Sequence, residues 1–164
     1  MQELNGDFYL NVDGIKSECQ DEEFKEHFQL ATWHFSCSNP GSPLIGSGAG
    51  IGKSVPQDLY CTGPISSGST KLWQACAEGT PIKTVKLICR KNGTKGKLKY
   101  LEIVLTSCIV SSYQINASNG QELPSESFSF AYAKCEYNYT VQKPDGNPGG
   151  KMPGVYDFSK NVAK

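Results

Sequence analysis

The sequence predicts a mainly β protein: a single small β-barrel of two curled sheets, carrying one α-helix and a long Gly/Pro-rich loop. Three observations lead there. Apolar and polar side chains alternate with period 2 through most of the chain, which puts apolar groups on one face of each strand. Asn92-Gly93 and Asn119-Gly120 supply the positive backbone angles of tight reversals. Helical spacing occurs in one stretch only. With 164 residues, 38% of them hydrophobic, the chain can close one ordinary core, so a single domain over 1–164 is expected.

The elements follow in order. Phe8, Leu10 and Val12 form the first apolar stripe. From Phe28 to Cys37 the stripe shifts phase, from Phe28 and Leu30 to Trp33, Phe35 and Cys37, so a bulge is expected near Ala31-Thr32. Val55 to Cys61 alternates but contains Pro56, which fits an edge, a strand start or a bulge. Between these runs, Ser38 to Gly52 holds Pro40, Pro43 and five glycines, a loop long enough to suggest function or disorder. Thr70 to Glu78 places Leu72, Trp73, Ala75 and Cys76 at helical spacing, and Gly79 and Pro81 stop the helix. Val85, Leu87 and Cys89 begin a hairpin that turns at Asn92-Gly93, and Leu98 to Ile115 is long enough for two strands. Ser127 to Val141 again slips phase, with Phe128, Phe130 and Tyr132 on one face and Cys135, Tyr137, Tyr139 and Val141 on the other. Long strands with such slips let a sheet curl toward a closed barrel. Residues 144–164, rich in Pro and Gly at their start, read as a loosely ordered C-terminal tail.

Composition narrows the function. Sixteen basic residues balance sixteen acidic ones, so no charge field draws nucleic acid or an anionic membrane. No run of eighteen apolar residues is present, so no membrane anchor is expected, and Met1 to Asp7 lacks the basic and apolar regions of an export signal. The seven cysteines are odd in number and never form CxxC, which points to a reducing compartment at synthesis. Cys37, Cys61, Cys89, Cys108 and Cys135 lie in strand-like runs, where a free thiol acts as a small buried hydrophobe.

Catalytic patterns are incomplete. Gly52-Lys53-Ser54 ends like a phosphate loop, but Ser47 stands where that motif needs glycine, and strands flank it. His34 and Cys37 offer two metal ligands without a matching second pair. Asp21-Glu22-Glu23 with Glu26 reads as a solvated charge run. An enzyme using Ser54, His34 or Cys61 ranks last among the readings, and no cofactor or metal is expected. A binding-module reading, an extracellular β-sandwich, would use Trp33, Tyr137 and Tyr139 as stacking platforms.

The run from Phe8 to Asp21, the glycine loop entering Gly52 to Val55 with Gln57-Asp58-Leu59, Val110 to Tyr113, and Phe128 to Gly146 resemble, in that order, the landmarks of the hemolysin-coregulated protein (Hcp) family of bacterial type VI secretion. The resemblance implies a non-enzymatic structural subunit that assembles with itself into homohexameric rings. These rings would stack into the inner tube, meet the type VI sheath, baseplate and spike proteins, and carry or chaperone effector proteins in the lumen. It also implies synthesis in the bacterial cytoplasm followed by type VI secretion without a signal peptide. Apolar residues in a glycine-rich loop have little to bury against in a monomer, so Leu44, Ile45, Gly46, Gly48, Gly50 and Ile51 are the expected ring-to-ring or subunit interface.

Overall fold

The computed structural model describes residues 7–41 and 53–163. Among them the chain runs β1 (Asp7–Val12), a 3-10 turn (Glu22–Phe24), β2 (Phe28–Gln29), β3 (Thr32–His34), β4 (Cys37–Ser38), β5 (Val55–Pro56), β6 (Leu59–Pro64), α1 (Ser69–Glu78), β7 (Ile82–Gly93), β8 (Gly96–Asn116), β9 (Ser125–Gln142), β10 (Pro148–Asp157) and β11 (Val162–Ala163).

Nine strands form one antiparallel sheet whose main path is β11-β10-β9-β8-β7-β1-β2, with β6 joined to β9 and β3 joined to β6. The edge of β9 away from β8 changes partner midway. Ser125 to Phe130 pairs with β6, and Lys134 to Gln142 pairs with β10. At that switch the sheet divides and curls. The expected closed barrel is not formed: the ladder stops at Gln29 in β2 and resumes at Thr32 in β3. The step between them, where the phase slip called for a bulge, is carried by single bonds, Leu30 N–H to Phe8 O at 2.9 Å and Ala31 N–H to Thr62 O at 2.8 Å. The mainly β architecture and the one α-helix among the described residues agree with the sequence.

One apolar cluster fills the inside. Leu10, Leu59, Cys61, Leu72, Val85, Leu87, Cys89, Ile103, Leu105 and Phe130 are fully shielded from solvent. Helix α1 covers one opening of it with Leu72 and Ala75. Gly68 precedes the helix because the chain passes directly over Phe28, where a Cβ would sit 2.3 Å from Cζ. Gly79 ends it at φ 65°, a left-handed cap that lets its N–H reach the last free carbonyls.

Three expectations need correction. Residues 98–115 form one strand with Gly96 to Asn116, not two, because Ser107 takes a left-handed φ of 57° and the register slips between Val110 and Ser112. Such irregularities bend a strand without ending it. The segment expected as a loose tail is largely a strand: Lys151 to Asp157 pairs residue for residue with β9. Its prolines are tolerated because β10 is an edge over most of its length, where a missing N–H faces outward. Cys37, expected inside, is exposed, because β4 leaves the main sheet and pairs only with β5.

Phe130→Ala, at the centre of the cluster, is expected to destabilise the fold by about 3–5 kcal/mol in urea unfolding, whereas exposed Trp73→Ala changes it by less than about 0.5 kcal/mol.

Candidate functional site

The long connection between β1 and β2 is fixed by one buried cation. Strand β7 alternates, so while Val85, Leu87 and Cys89 face the main core, Ile88 and Arg90 face the opposite side. There Tyr9, Phe24 and Ile88 make a second small cluster. The Arg90 side chain, 5% exposed, lies over the rings of Tyr9 and Phe24 at 4.8 and 4.7 Å. Its guanidinium donates to the Tyr9 hydroxyl at 2.9 Å, to the Asp21 carboxylate, and to Glu23 at 3.1 Å. Lys99 Nζ adds a second cation 2.6 Å from Glu23. Burial pushes the Asp21 carboxyl up, but the bond from Arg90 and the Glu23 N–H outweigh it and hold it below its ordinary value. The hydrogen bond from Lys99 does the same for Glu23. Burial pushes the Tyr9 hydroxyl up to about 12. The acidic run that reads as solvated therefore supplies two partly exposed carboxylates to the buried Arg90 guanidinium.

A second buried ionisable group lies near the start of β9. Glu126 is 2% exposed and accepts a 2.7 Å bond from the Tyr113 hydroxyl. Burial pushes its carboxyl up despite the opposing bonds from Tyr113 and Ser69.

The six interface candidates Leu44, Ile45, Gly46, Gly48, Gly50 and Ile51 lie outside the described residues. What is described is the base that carries them. Cys37 pairs with Pro56 and Ser38 with Val55, and Gln57 N–H bonds Ser36 O at 3.1 Å, so β4 and β5 make a narrow ribbon separate from the main sheet.

A surface that the sequence did not single out as an assembly face lies beside that ribbon. Residues directly opposite in an antiparallel ladder share a face. Tyr139 faces Leu101 and Met152, and Tyr137 faces Ile103 and Gly154, so the core face of the sheet continues past the core into solvent. Along it Tyr137 is 45%, Tyr139 39% and Met152 59% exposed. Phe35, entering from the chain before β4, stacks between Tyr132 and Tyr137 at 6.1 and 6.3 Å and lines an open cavity of about 300 Å³ at the Tyr137 end of this strip. The signal available in sequence was the odd-numbered stripe of β9, which has too few covering residues to bury it.

The catalytic candidates are not brought together. Trp33 faces Cys61 across the ladder, and both point inward; Cys61 is fully buried and burial pushes its thiol far up. His34 and Tyr60 pair on the opposite, exposed face. Lys53 and Ser54 lead into strand β5, without the helix a phosphate loop requires. Trp33 packs edge-on against Phe8 at 6.2 Å and against the core, away from the exposed position a stacking platform needs. Among the described residues no three His, Cys, Asp or Glu side chains gather as a metal site, and no helix is long and apolar enough to cross a membrane.

The curled antiparallel sheet, the one α-helix among the described residues and the apolar strip left open to solvent define a mainly β protein with part of its core face exposed. The family model described as type VI secretion system effector, Hcp, matches residues 9–139, and the chain belongs to that family. Among solved structures it is similar to a type six secretion system protein, at 26% identity and TM-score 0.89 over 97% of this chain and 99% of that one. It is also similar to Hcp1 from Salmonella typhimurium, at 26% identity and TM-score 0.80 over 97% and 99%, and to a type VI secretion system effector from Yersinia pestis, at 25% identity and TM-score 0.74 over 92% and 99%. No curated protein sequence matches.

Two predictions concern the buried charges. Arg90→Ala removes the hydrogen bonds to Tyr9, Asp21 and Glu23 and is expected to destabilise by about 1–3 kcal/mol, measured by urea unfolding at neutral pH. Glu126 binds its proton more tightly folded than unfolded, so stability contributed by the neutral carboxyl is lost as pH rises from 4.5 through its raised folded value. Asp21 and Glu23 act oppositely, their contribution disappearing as pH falls below 3.8 and 4.5 toward their lowered values. Glu126→Gln should therefore flatten the decline on the alkaline side of pH 4.5 while leaving the acid-side loss in place, as read from melting temperature against pH.

Proposed function

We propose that this protein is a structural subunit of the type VI secretion inner tube, forming six-membered rings that stack and are exported, with effector proteins held in the lumen. Membership in the Hcp family supports it, and the observation that carries it is the exposed core-face strip of Tyr137, Tyr139 and Met152 beside the outer edge of β10. An apolar sheet face beside an edge strand invites another chain. Here the partner is a second copy of the same chain. The glycine-rich segment with Leu44, Ile45, Gly46, Gly48, Gly50 and Ile51 takes the second contact, from ring to ring. Sheath, baseplate and spike proteins are the further partners, and the protein acts without catalysis. It is made in the cytoplasm and leaves through the type VI machine.

Light scattering on a sizing column with negative-stain microscopy tests this. Wild-type protein should give six-fold rings, some stacked. Ile45→Asp should keep rings and lose stacks, whereas Tyr139→Asp with Met152→Asp should lose the rings. Monomers of wild type at every concentration contradict the reading.

A further inference from the structure

We propose that Cys37 and Cys135 form a built-in thiol pair that closes to a disulfide when the folded chain meets a small disulfide oxidant such as glutathione disulfide. Both cysteines line the 300 Å³ cavity, together with Phe35, Tyr137, Tyr156 and Phe158. Their convergence has a structural cause. Phe35 stacks on Tyr132 and Tyr137, the residues that bracket Cys135 on β9. Cys37 lies two residues beyond Phe35 and opens β4, whose ribbon begins with the Gln57 N–H bond to Ser36 O at 3.1 Å. The anchored ring therefore brings Cys37 and Cys135 to the lining of the same cavity.

The two thiols are unequal, and that sets the order of events. Cys37 is exposed on the narrow β4–β5 ribbon, whereas Cys135 is buried at 6% exposure. Burial, reinforced by the neighbouring Cys37, pushes the Cys135 thiol up to about 12. The Cys37 thiolate attacks one sulfur of glutathione disulfide, forming a mixed disulfide and expelling one glutathione thiolate. The Cys135 thiolate then attacks the Cys37 sulfur, closing the protein disulfide and expelling the second glutathione thiolate. Two protein thiols are oxidised, one glutathione disulfide is reduced to two glutathiones, and the two thiol protons pass to the leaving thiolates. The other buried cysteines, Cys61, Cys89 and Cys108, are enclosed in the core cluster and do not line the cavity. The bridge would tie the ribbon bearing residues 42–52 to the central strand β9, and an oxidising medium outside the cell would favour it. The inference goes beyond the tube reading and does not depend on it.

The test oxidises the folded full-length protein with glutathione disulfide, alkylates remaining thiols and maps unreduced peptides by mass spectrometry. A peptide linking Cys37 to Cys135, two hydrogens lighter than the reduced pair, is expected, with free thiols in denaturant falling from seven to five. The melting temperature should rise on oxidation. Exposed Cys37→Ser should keep its melting temperature when reduced and lose the link and the oxidative rise; Cys135→Ala should stop at a Cys37–glutathione adduct. A wild-type product that stays as that adduct, retains all seven thiols, or links Cys37 elsewhere overturns the proposal.

Discussion

Strand β9 is the constraint on which the other parts depend. It pairs along one edge with β8 over nearly its full length, and along the other first with β6 and then with β10. A straight strand could not serve both partners, because a sheet that divides at Ala131–Ala133 must curl there. The first half of β9 buries Phe128 and Phe130 beside Cys61 and Leu59 of β6 and joins them to the core cluster that Leu72 and Ala75 of α1 also enter. The second half carries the same sheet face out of the core, and the exposed strip and cavity follow from that.

The long connection between β1 and β2 is the second layer. Few apolar side chains lie on the outer face of β1 and β7, so burial alone would hold the connection weakly. The buried Arg90 side chain supplies the anchor by combining two aromatic faces with two partly exposed carboxylates. Such networks specify geometry more than they stabilise, since removing both charges can be neutral while removing one is costly. The arrangement keeps an otherwise irregular segment in a single position against the sheet.

Much of the fold was legible because period-2 alternation and turn chemistry act locally. The stripes at Phe8 to Val12 and Val85 to Cys89, the Asn92-Gly93 hairpin and the helix ended by Gly79 all appear where residue spacing puts them. What escaped depends on distance in sequence or on backbone irregularity. Asp21 and Arg90 stand 69 residues apart, and nothing near Asp21 announces its partner. Ser107 adopts a left-handed angle that its side chain does not advertise, so one bent strand read as two. Proline and glycine in β10 conceal a strand whose order comes from pairing with β9 rather than from its own composition. The apolar strip was half visible: its tyrosines stood out, but only the ladder register shows that they continue the core face.

That strip is central to the account, which holds that it and the outer edge of β10 are covered by another copy in solution. Amide hydrogen exchange at Gly149 to Met152, followed across protein concentration, measures this directly. Protection that rises with concentration in step with assembly is the predicted result. Exchange that is equally fast at all concentrations, in a protein that nevertheless assembles, would place the contact elsewhere and contradict the account.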